Sequence, residues 1–314
     1  MQQLPSFSLV LETENLANAN IEDLSKSLVS LVKQSISPTQ ANEVLLLESG
    51  DVPPQLLKQL CEKYPWITVK SAPLGTSYYK AKMLGAELAT GEILIYCDSD
   101  CIYEQNWLEK ILTTFKQKQV IQIVAGETTT RGKGPYGTAM ALTYIFPQYS
   151  EQKNLTSTKQ YFLNNVAFKR EFLLQHPIPT ELPLYRGNCV IHAYNLLDAG
   201  YTIWQQPQAR ATHAPPEGLS HFFWRFLLIG HDYYWQKSLL SPRQISLSQD
   251  DPMSGVGGKW QVFYQRVGKM FIRKPLHLLY FPLALPIIFA SVGLIFTGYV
   301  ITTIKPNFLL RVYN

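Results

Sequence analysis

The sequence predicts an α/β fold: a Rossmann-like, doubly wound, mostly parallel sheet, followed by C-terminal amphipathic and hydrophobic helices. Three observations carry this expectation. Short apolar runs alternate with longer helical patterns over roughly the first hundred residues, the pattern that βαβ units leave in a chain. The first, second and fourth of these runs end in polar turns that carry carboxylates. Finally, there is not one Asp, Glu, Lys or Arg from Pro275 to Ile304, a stretch longer than the ~20 residues that span a hydrocarbon core as a helix.

Taken in order, "FSLVLE" reads as a strand, Ile21 to Gln34 as a helix, "NEVLLLES" as a strand and Pro54 to Lys63 as a helix. "WITVK", Tyr78 to Ala89 and "GEILIYCD" continue as strand, helix and strand. In a doubly wound sheet the ligand sits beyond the carboxyl ends of the strands. The informative turns are therefore "ETEN" (Glu12 to Asn15), "ESGD" (Glu48 to Asp51) and "DSD" (Asp98 to Asp100). Turns are rich in Asp, Ser, Asn and Gly for backbone reasons alone, so the three together weigh more than any one.

Beyond them, Trp107 to Gln117 reads as a helix and Val120 to Ala125 as a strand, and "TRGKGPYG" as a mobile surface loop rather than a phosphate cradle. The stretch "GLSHFFWRFLLIGHDYYWQ" is an aromatic-rich helix with His221 and Arg225 on one face. A polar linker follows, and then "KWQVFYQRVGKMFIRK" mixes aromatic and basic residues, as suits a helix in the headgroup region of an anionic bilayer. Pro282 and Pro286 are expected to kink or break the uncharged segment near its start, which leaves a spanning helix and a re-entrant hairpin both open. The expected domains are 1–237, in two halves that divide at about 105–106, then a linker at 238–258. A basic interfacial helix at 259–274 and a hydrophobic membrane segment at 275–304 complete them.

Composition narrows the classes. The chain has 314 residues, is 46% hydrophobic and only 16% charged, and carries a net charge of +5. A soluble domain has about 25% charged residues, so the deficit points to a membrane. No dense Lys/Arg block marks a nucleic-acid binder. Four cysteines without a CxxC pair indicate neither a zinc ribbon nor a disulfide framework. The N-terminus lacks a basic region followed by a long apolar core, so it does not read as a secretory signal. More basic residues precede the apolar segment than follow it, so the expected location is the cell membrane, with one C-terminal anchor and the large N-terminal region in the cytoplasm.

The chemistry centres on "CDSDC". Two carboxylates one residue apart at the end of a strand can be turned toward one ligand, and this suits Mg²⁺ or Mn²⁺, hard ions that take one or two carboxylates with water and substrate phosphate. Such an ion would neutralise a diphosphate leaving group. Cys97 and Cys101 beside it are most simply packing thiols.

From Phe7 to Pro215 the chain resembles the family 2 glycosyltransferases of the GT-A fold. The resemblance is strongest over "AKMLGAELATGEILIYCDSD", which follows the family's Ala-Arg-Asn, Gly, Ala, Gly-Glu, apolar strand and Asp-x-Asp, with Lys82 in place of Arg and Met83 in place of Asn. "LVLETEN" stands where the family has Pro-Thr-x-Asn, matching Thr13 and Asn15, and "VLLLESGD" stands where it has Asp-Asp-Gly-Ser, so Glu48 matches the acid that pairs with the base. "AGYTIWQQPQARATH" follows the family's Gly-Tyr-x-Ile, Pro-x-Ala and terminal His, which carries a metal or diphosphate contact to His213. The resemblance implies transfer of a sugar from a nucleotide-diphosphate donor, a UDP-sugar being favoured, to a lipid-linked or glycan acceptor, with inversion. It implies nucleotide-sugar binding by Thr13, Asn15, Glu48, Lys82, Asp98 and Ser99, and metal binding by Asp100 and His213.

One departure concerns the acceptor side. The family's Glu-Asp pair, whose Asp is the general base, falls on Asn188-Cys189. The base candidates are Cys189, if neighbours lower its thiol pKa, and His192 one helical turn on. Alternatively the acceptor is a phosphate that needs little deprotonation, or the chain is a membrane-tethered binding or scaffold protein without turnover. Asn164 and Asn165 are acceptor-side or ordinary turn residues. Arg225 is a candidate diphosphate or headgroup contact.

Overall fold

The structure, a computed structural model, describes residues 4–13, 21–50, 52–241, 256–273 and 276–313. Its elements run β1 (Phe7–Glu12), α1 (Ile21–Val32), β2 (Glu43–Glu48), α2 (Pro54–Lys63), β3 (Ile67–Ser71), α3 (Tyr78–Leu88), β4 (Ile93–Cys97), β5 (Cys101–Tyr103) and α4 (Trp107–Gln117). Then come β6 (Ile123–Thr130), α5 (Gly134–Thr143), β7 (Thr156–Thr158), β8 (Asn165–Lys169), α6 (Arg170–Gln175), α7 (Asn188–Asp198) and β9 (Ile203–His213). The chain ends in α8 (Gly218–Leu240), α9 (Val256–Arg273), α10 (Leu276–Ile304) and α11 (Phe308–Tyr313). Two compact units emerge. The first comprises Met1–Thr128, Ser150–Thr180 and His192–His213; the second comprises Thr129–Tyr149, Glu181–Ile191 and Ala214–Asn314.

The first unit is built on a mixed sheet in the order β3-β2-β1-β4-β8-β6-β9-β5, with β7 on β9. β1 pairs in parallel with β2 on one side (Leu9↔Val44) and β4 on the other (Leu9↔Ile95). The strand order therefore reverses about β1, and the crevice at the carboxyl ends of β1 and β4 is a topological switch point. Every residue of β1 and β4 is buried, which is why β4 reads as an unbroken apolar run and β1 as a nearly continuous one, broken by Ser8 and Glu12, rather than as alternation. α3 lies directly on β1: a Cβ at Gly85 would come 2.4 Å from Val10 Cγ1, so only glycine permits that approach. Beyond β4 the pairing turns antiparallel, and β5 lies against β9 with Cys101 opposite His213.

In the second unit, α8 and α10 cross backbone to backbone. A Cβ on Gly230 would stand 2.0 Å from the Ile295 carbonyl oxygen, and one on Gly298 2.0 Å from that of Leu227. Beside the crossing, His231 Nδ1 is 3.1 Å from Thr302 Oγ1 and Nε2 is 3.1 Å from the Pro183 carbonyl oxygen. Ala284, Ile288, Ser291, Gly298 and Thr302 form the buried stripe of α10 at helical spacing. On its other side, Leu279, Leu283, Phe289 and Phe296 are 65–73% exposed.

Three local expectations change. α10 is one continuous helix of 29 residues, about 43 Å long at 1.5 Å per residue; Pro282 and Pro286, four apart and so on one face, do not break it. "TRGKGPYG" is not a surface loop throughout, because α5 starts at Gly134. Pro135 sits in its first turn, where a missing N–H is harmless, and Ala139, Met140 and Leu142 are buried. In α9, Arg266 is turned inward: its guanidinium donates to the carbonyls of Leu142 and Ile145 at 3.2 and 3.3 Å and to that of Tyr144. It thus satisfies carbonyls at the C-terminal end of α5. The expected linker falls largely on residues outside the described ones.

Candidate active site

At the switch point, Asp98 ends β4 inside a closed set of partners. Lys82 Nζ lies 2.8 Å from Asp98 Oδ1, with the two side chains 0% and 5% exposed. The same ammonium donates to the Val10 carbonyl at 3.4 Å and to the Cys97 carbonyl, a reach that the close seating of α3 on β1 allows. Tyr78 donates its hydroxyl to the Asp98 carboxylate at 2.9–3.0 Å. The Asp98 N–H donates to Tyr103 Oη at 2.9 Å, and Tyr103 donates onward to the Asn164 carbonyl. Lys82 is thus not turned to a diphosphate but buried, and it neutralises Asp98. Burial pushes the Tyr103 phenol well up and the Cys97 thiol up to about 12, so Cys97 is a packing group.

Two residues further on, Asp100 faces the other way. Its Oδ2 is 3.1 Å from His213 Nε2, with both side chains partly exposed. The sequence separation of these residues is closed by the β5–β9 pairing, which sets Cys101 opposite His213. Cys101 is fully buried in the apolar core, as expected of a packing thiol, and its Sγ is also 3.7 Å from Asp100 Oδ1. Between the two aspartates, the buried Ser99 hydroxyl has no hydrogen-bond partner among the described residues.

Thr13 and Glu48, which the family resemblance assigned to nucleotide-sugar binding, lie at the ends of β1 and β2. Thr13 Oγ1 donates to the Leu47 carbonyl at 3.2 Å and accepts from the Ser49 N–H at 3.3 Å. Glu48 Oε1 accepts from the Gly50 N–H at 2.7 Å. Asn15 and Asp51 lie outside the described residues.

His192 corrects the acceptor-side expectation. It is 2% exposed, with Nε2 2.8 Å from the His176 carbonyl, which can only accept, and Nδ1 2.6 Å from Tyr161 Oη. Nε2 therefore carries the proton and Nδ1 accepts from the tyrosine. Burial pushes this imidazole down to about 4, so it is a satisfied core histidine and not a base. Asn188 and Cys189 open α7 and are both buried; Cys189 belongs to the second unit, whereas Asp100 and His213 belong to the first.

Asn164 and Asn165 join strands. Asn165 accepts from Trp107 Nε1 at 2.7 Å and donates to the carbonyls of Glu127 and Ala209, and Asn164 Oδ1 accepts from Thr128 at 3.1 Å. In the second unit, Arg225 donates Nε to Tyr144 Oη at 3.0 Å. Its guanidinium is 5.4 Å from the Tyr185 ring centre, and that of Arg186 is 4.8 Å from the same ring. Asp232 accepts from the backbone N–H groups of Tyr185 and Arg186 at 2.7 and 2.9 Å; burial pushes its carboxyl up to about 6 against those two donors.

Tyr78 and Tyr103 are residues of the site that the sequence reading passed over. The signal for Tyr78 was four residues from Lys82, one helical turn, hence on the same face as the cation. As a place for a divalent cation the donor set fits: one carboxylate and one imidazole, both reached by solvent, leave positions for water and phosphate oxygens.

This arrangement belongs to a known class. The sequence profile of the family described as Glycosyl transferase family 2 matches residues 17–174, half of the chain, and the chain belongs to that family. Among curated relatives, Glycosyltransferase AglE of Haloferax volcanii is 26% identical over 207 residues, 64% of this chain and 64% of that protein. N-acetylgalactosaminyltransferase 6 of Drosophila melanogaster is 30% identical over 114 residues, 35% of this chain and 16% of its own length. The chain thus spans under two thirds of the length of these relatives. The mannosyltransferase PcManGT from Pyrobaculum calidifontis, solved with GDP-Man and Mn²⁺, matches with a TM-score of 0.62 at 15% identity, over 98% of this chain and 88% of its own. GalNAc-T7, solved with UDP, GalNAc and Mn²⁺, matches at 0.53 and 14% identity over 86% and 57%. Both likenesses concern the fold, which is the GT-A fold the sequence predicted.

Proposed function

We propose that this chain transfers a sugar from a nucleotide-diphosphate sugar to a membrane-associated or cell-envelope acceptor, with inversion at the anomeric carbon and a divalent cation, Mg²⁺ or Mn²⁺, held by Asp100 and His213. The observation that carries the reading is the Asp100–His213 pair, 3.1 Å apart beside the switch point of the sheet. The relatives solved with nucleotide, sugar and Mn²⁺ support the choice of donor and metal. When bound, the cation supplies a counter-charge to the diphosphate leaving group. Asp98, neutralised by Lys82 and tied down by Tyr78, acts as a positioning residue that fixes the turn from which Asp100 projects. The Ser99 hydroxyl is a free donor for the nucleotide sugar, and Thr13 and Glu48 border the nucleoside.

On the acceptor side, no carboxylate occupies 188 or 189, and His192 is committed to the core. An acceptor oxygen that is already ionised, as in a polyprenyl phosphate, needs no base. Arg186 and Arg225 against the Tyr185 ring favour that reading, as does the exposed apolar side of α10, a candidate anchor; the proposed orientation, with the larger N-terminal region on the cytoplasmic face, follows from the excess of basic residues before it. Cys189 is the base candidate for a hydroxyl acceptor.

The test is a screen of UDP-, GDP- and dTDP-sugars with the purified, detergent-solubilised chain, Mn²⁺, and polyprenyl phosphate or glycan acceptors. Transfer that falls in Asp100→Ala and His213→Ala supports the proposal; full transfer and donor hydrolysis in both variants contradict it. Donor binding without turnover on any acceptor would favour a non-catalytic, membrane-tethered binding protein.

A further inference from the structure

Cys101 is directly opposite His213 in the antiparallel β5–β9 pair, so the two side chains leave the same face of the sheet with Cβ atoms about 5 Å apart. Cys101 Sγ is 3.7 Å from Asp100 Oδ1, and Asp100 Oδ2 is 3.1 Å from His213 Nε2. One donor atom from each of the three residues falls within 4.8 Å of the others. A carboxylate oxygen, a thiol sulfur and an imidazole nitrogen that converge in this way are not the oxygen-rich surroundings that Mg²⁺ demands. They match the three-ligand, one-position-open sites of zinc, whose bonds to O, N and S run from about 2.0 to 2.3 Å. Small side-chain rotations draw atoms already this close onto one ion.

We infer that Cys101 is a third protein ligand, and that the centre takes Zn²⁺ or Co²⁺ through Asp100, Cys101 and His213. The inference rests on the proposed reading of Asp100 and His213 as metal ligands. On binding, the Sγ–H bond breaks, a metal–sulfur bond forms and the proton leaves to the buffer. A tetrahedral ion so held keeps one open position, where a six-coordinate Mn²⁺ on Asp100 and His213 keeps four. Zn²⁺ therefore competes with Mn²⁺ while offering the diphosphate fewer places.

The probe is Co²⁺ added to the full-length, detergent-solubilised chain. The unaltered protein is expected to show a thiolate-to-cobalt charge-transfer band that saturates at one equivalent, and Zn²⁺ to release one proton per site in calorimetry across buffers of different ionisation enthalpy. Cys101→Ser is expected to lose the band and about tenfold to a hundredfold in Zn²⁺ affinity, with Mn²⁺ affinity held within about threefold. Cys61→Ser and Cys189→Ser keep the band. Mn²⁺ binding with no sulfur band in the unaltered protein, or a band that survives Cys101→Ser, overturns this inference and leaves the wider metal reading standing. Binding of neither ion overturns both. The spectrum and proton count of the unaltered chain decide the matter even where Cys101→Ser does not fold.

Discussion

Replacing Lys82 with Met removes a buried cation while keeping the length of its stem. Lys82 and Asp98 are 0% and 5% exposed and 2.8 Å apart, so the variant strands a carboxylate in the interior. Breaking a buried pair this way costs about 3–5 kcal/mol. Tyr78 still donates to the carboxylate, which places the expected loss at the lower end, about 3 kcal/mol. Methionine suits the cavity because the ammonium sits 5.3 and 5.5 Å from the rings of Tyr78 and Tyr96, where a thioether also packs well. In urea unfolding of the detergent-solubilised chain, read by tryptophan fluorescence, the midpoint should fall by about 1–2 M. Adding Asp98→Asn removes the stranded charge, so the double variant should recover about 1–2 kcal/mol relative to Lys82→Met alone. A midpoint shift under about 0.3 M, or a double variant as unstable as the sum of the single ones, would refute the view that Lys82 serves Asp98 rather than the donor.

Asp100→Ala and His213→Ala should each reduce Mn²⁺-dependent transfer about a thousandfold, the several kcal/mol that a metal contributes to leaving-group stabilisation, with Mn²⁺ titration as the check. His192 is held down from 6.5 to about 4 in the folded state, so its contribution to stability is whole above about pH 6.5 and disappears as pH falls toward 4. The amount is about 3 kcal/mol, and His192→Asn should flatten that part of the stability–pH curve without moving the acid limb of the transfer profile. Gly298→Leu should force α10 away from the Leu227 carbonyl at about 1–3 kcal/mol, seen as faster proteolysis in α8.

The parallel part of the sheet was the more legible part of the chain because its determinants are local. A buried parallel strand shows as a continuous apolar run, and the turn that follows it shows as polar residues, so β1, β2 and β4 and their carboxylates could be found by inspection. What a single stretch cannot reveal is the partner that a residue meets from afar. Lys82 resembled a diphosphate contact, but its charge is spent on Asp98, which only the packing of α3 on β1 discloses. Cys101 is the core thiol it was read as, but β5 is three residues long, too short to register as a strand, so its pairing with His213 was invisible. Helix α5 was hidden by Gly132, Gly134 and Gly137 around Pro135, a turn signature that burial of the following Ala and Met residues overrides. The expectation at His213 came from the family likeness alone; its pairing with Asp100 is tertiary, and no periodicity could have supplied it.

The β5–β9 pairing also sets a clock. Asp100 and Cys101 leave the ribosome long before His213, and a chain of this kind closes its distant contacts late because loop entropy opposes them. A nascent chain ending short of β9 has the carboxylates of the donor turn but no imidazole to meet them. On the proposed reading, metal affinity would be acquired only on completion of the sheet, and a bound cation would then weigh the equilibrium toward the closed chain by mass action. In that sense the ion would act as a late clasp, rewarding a fold that is already correct rather than guiding the search for it.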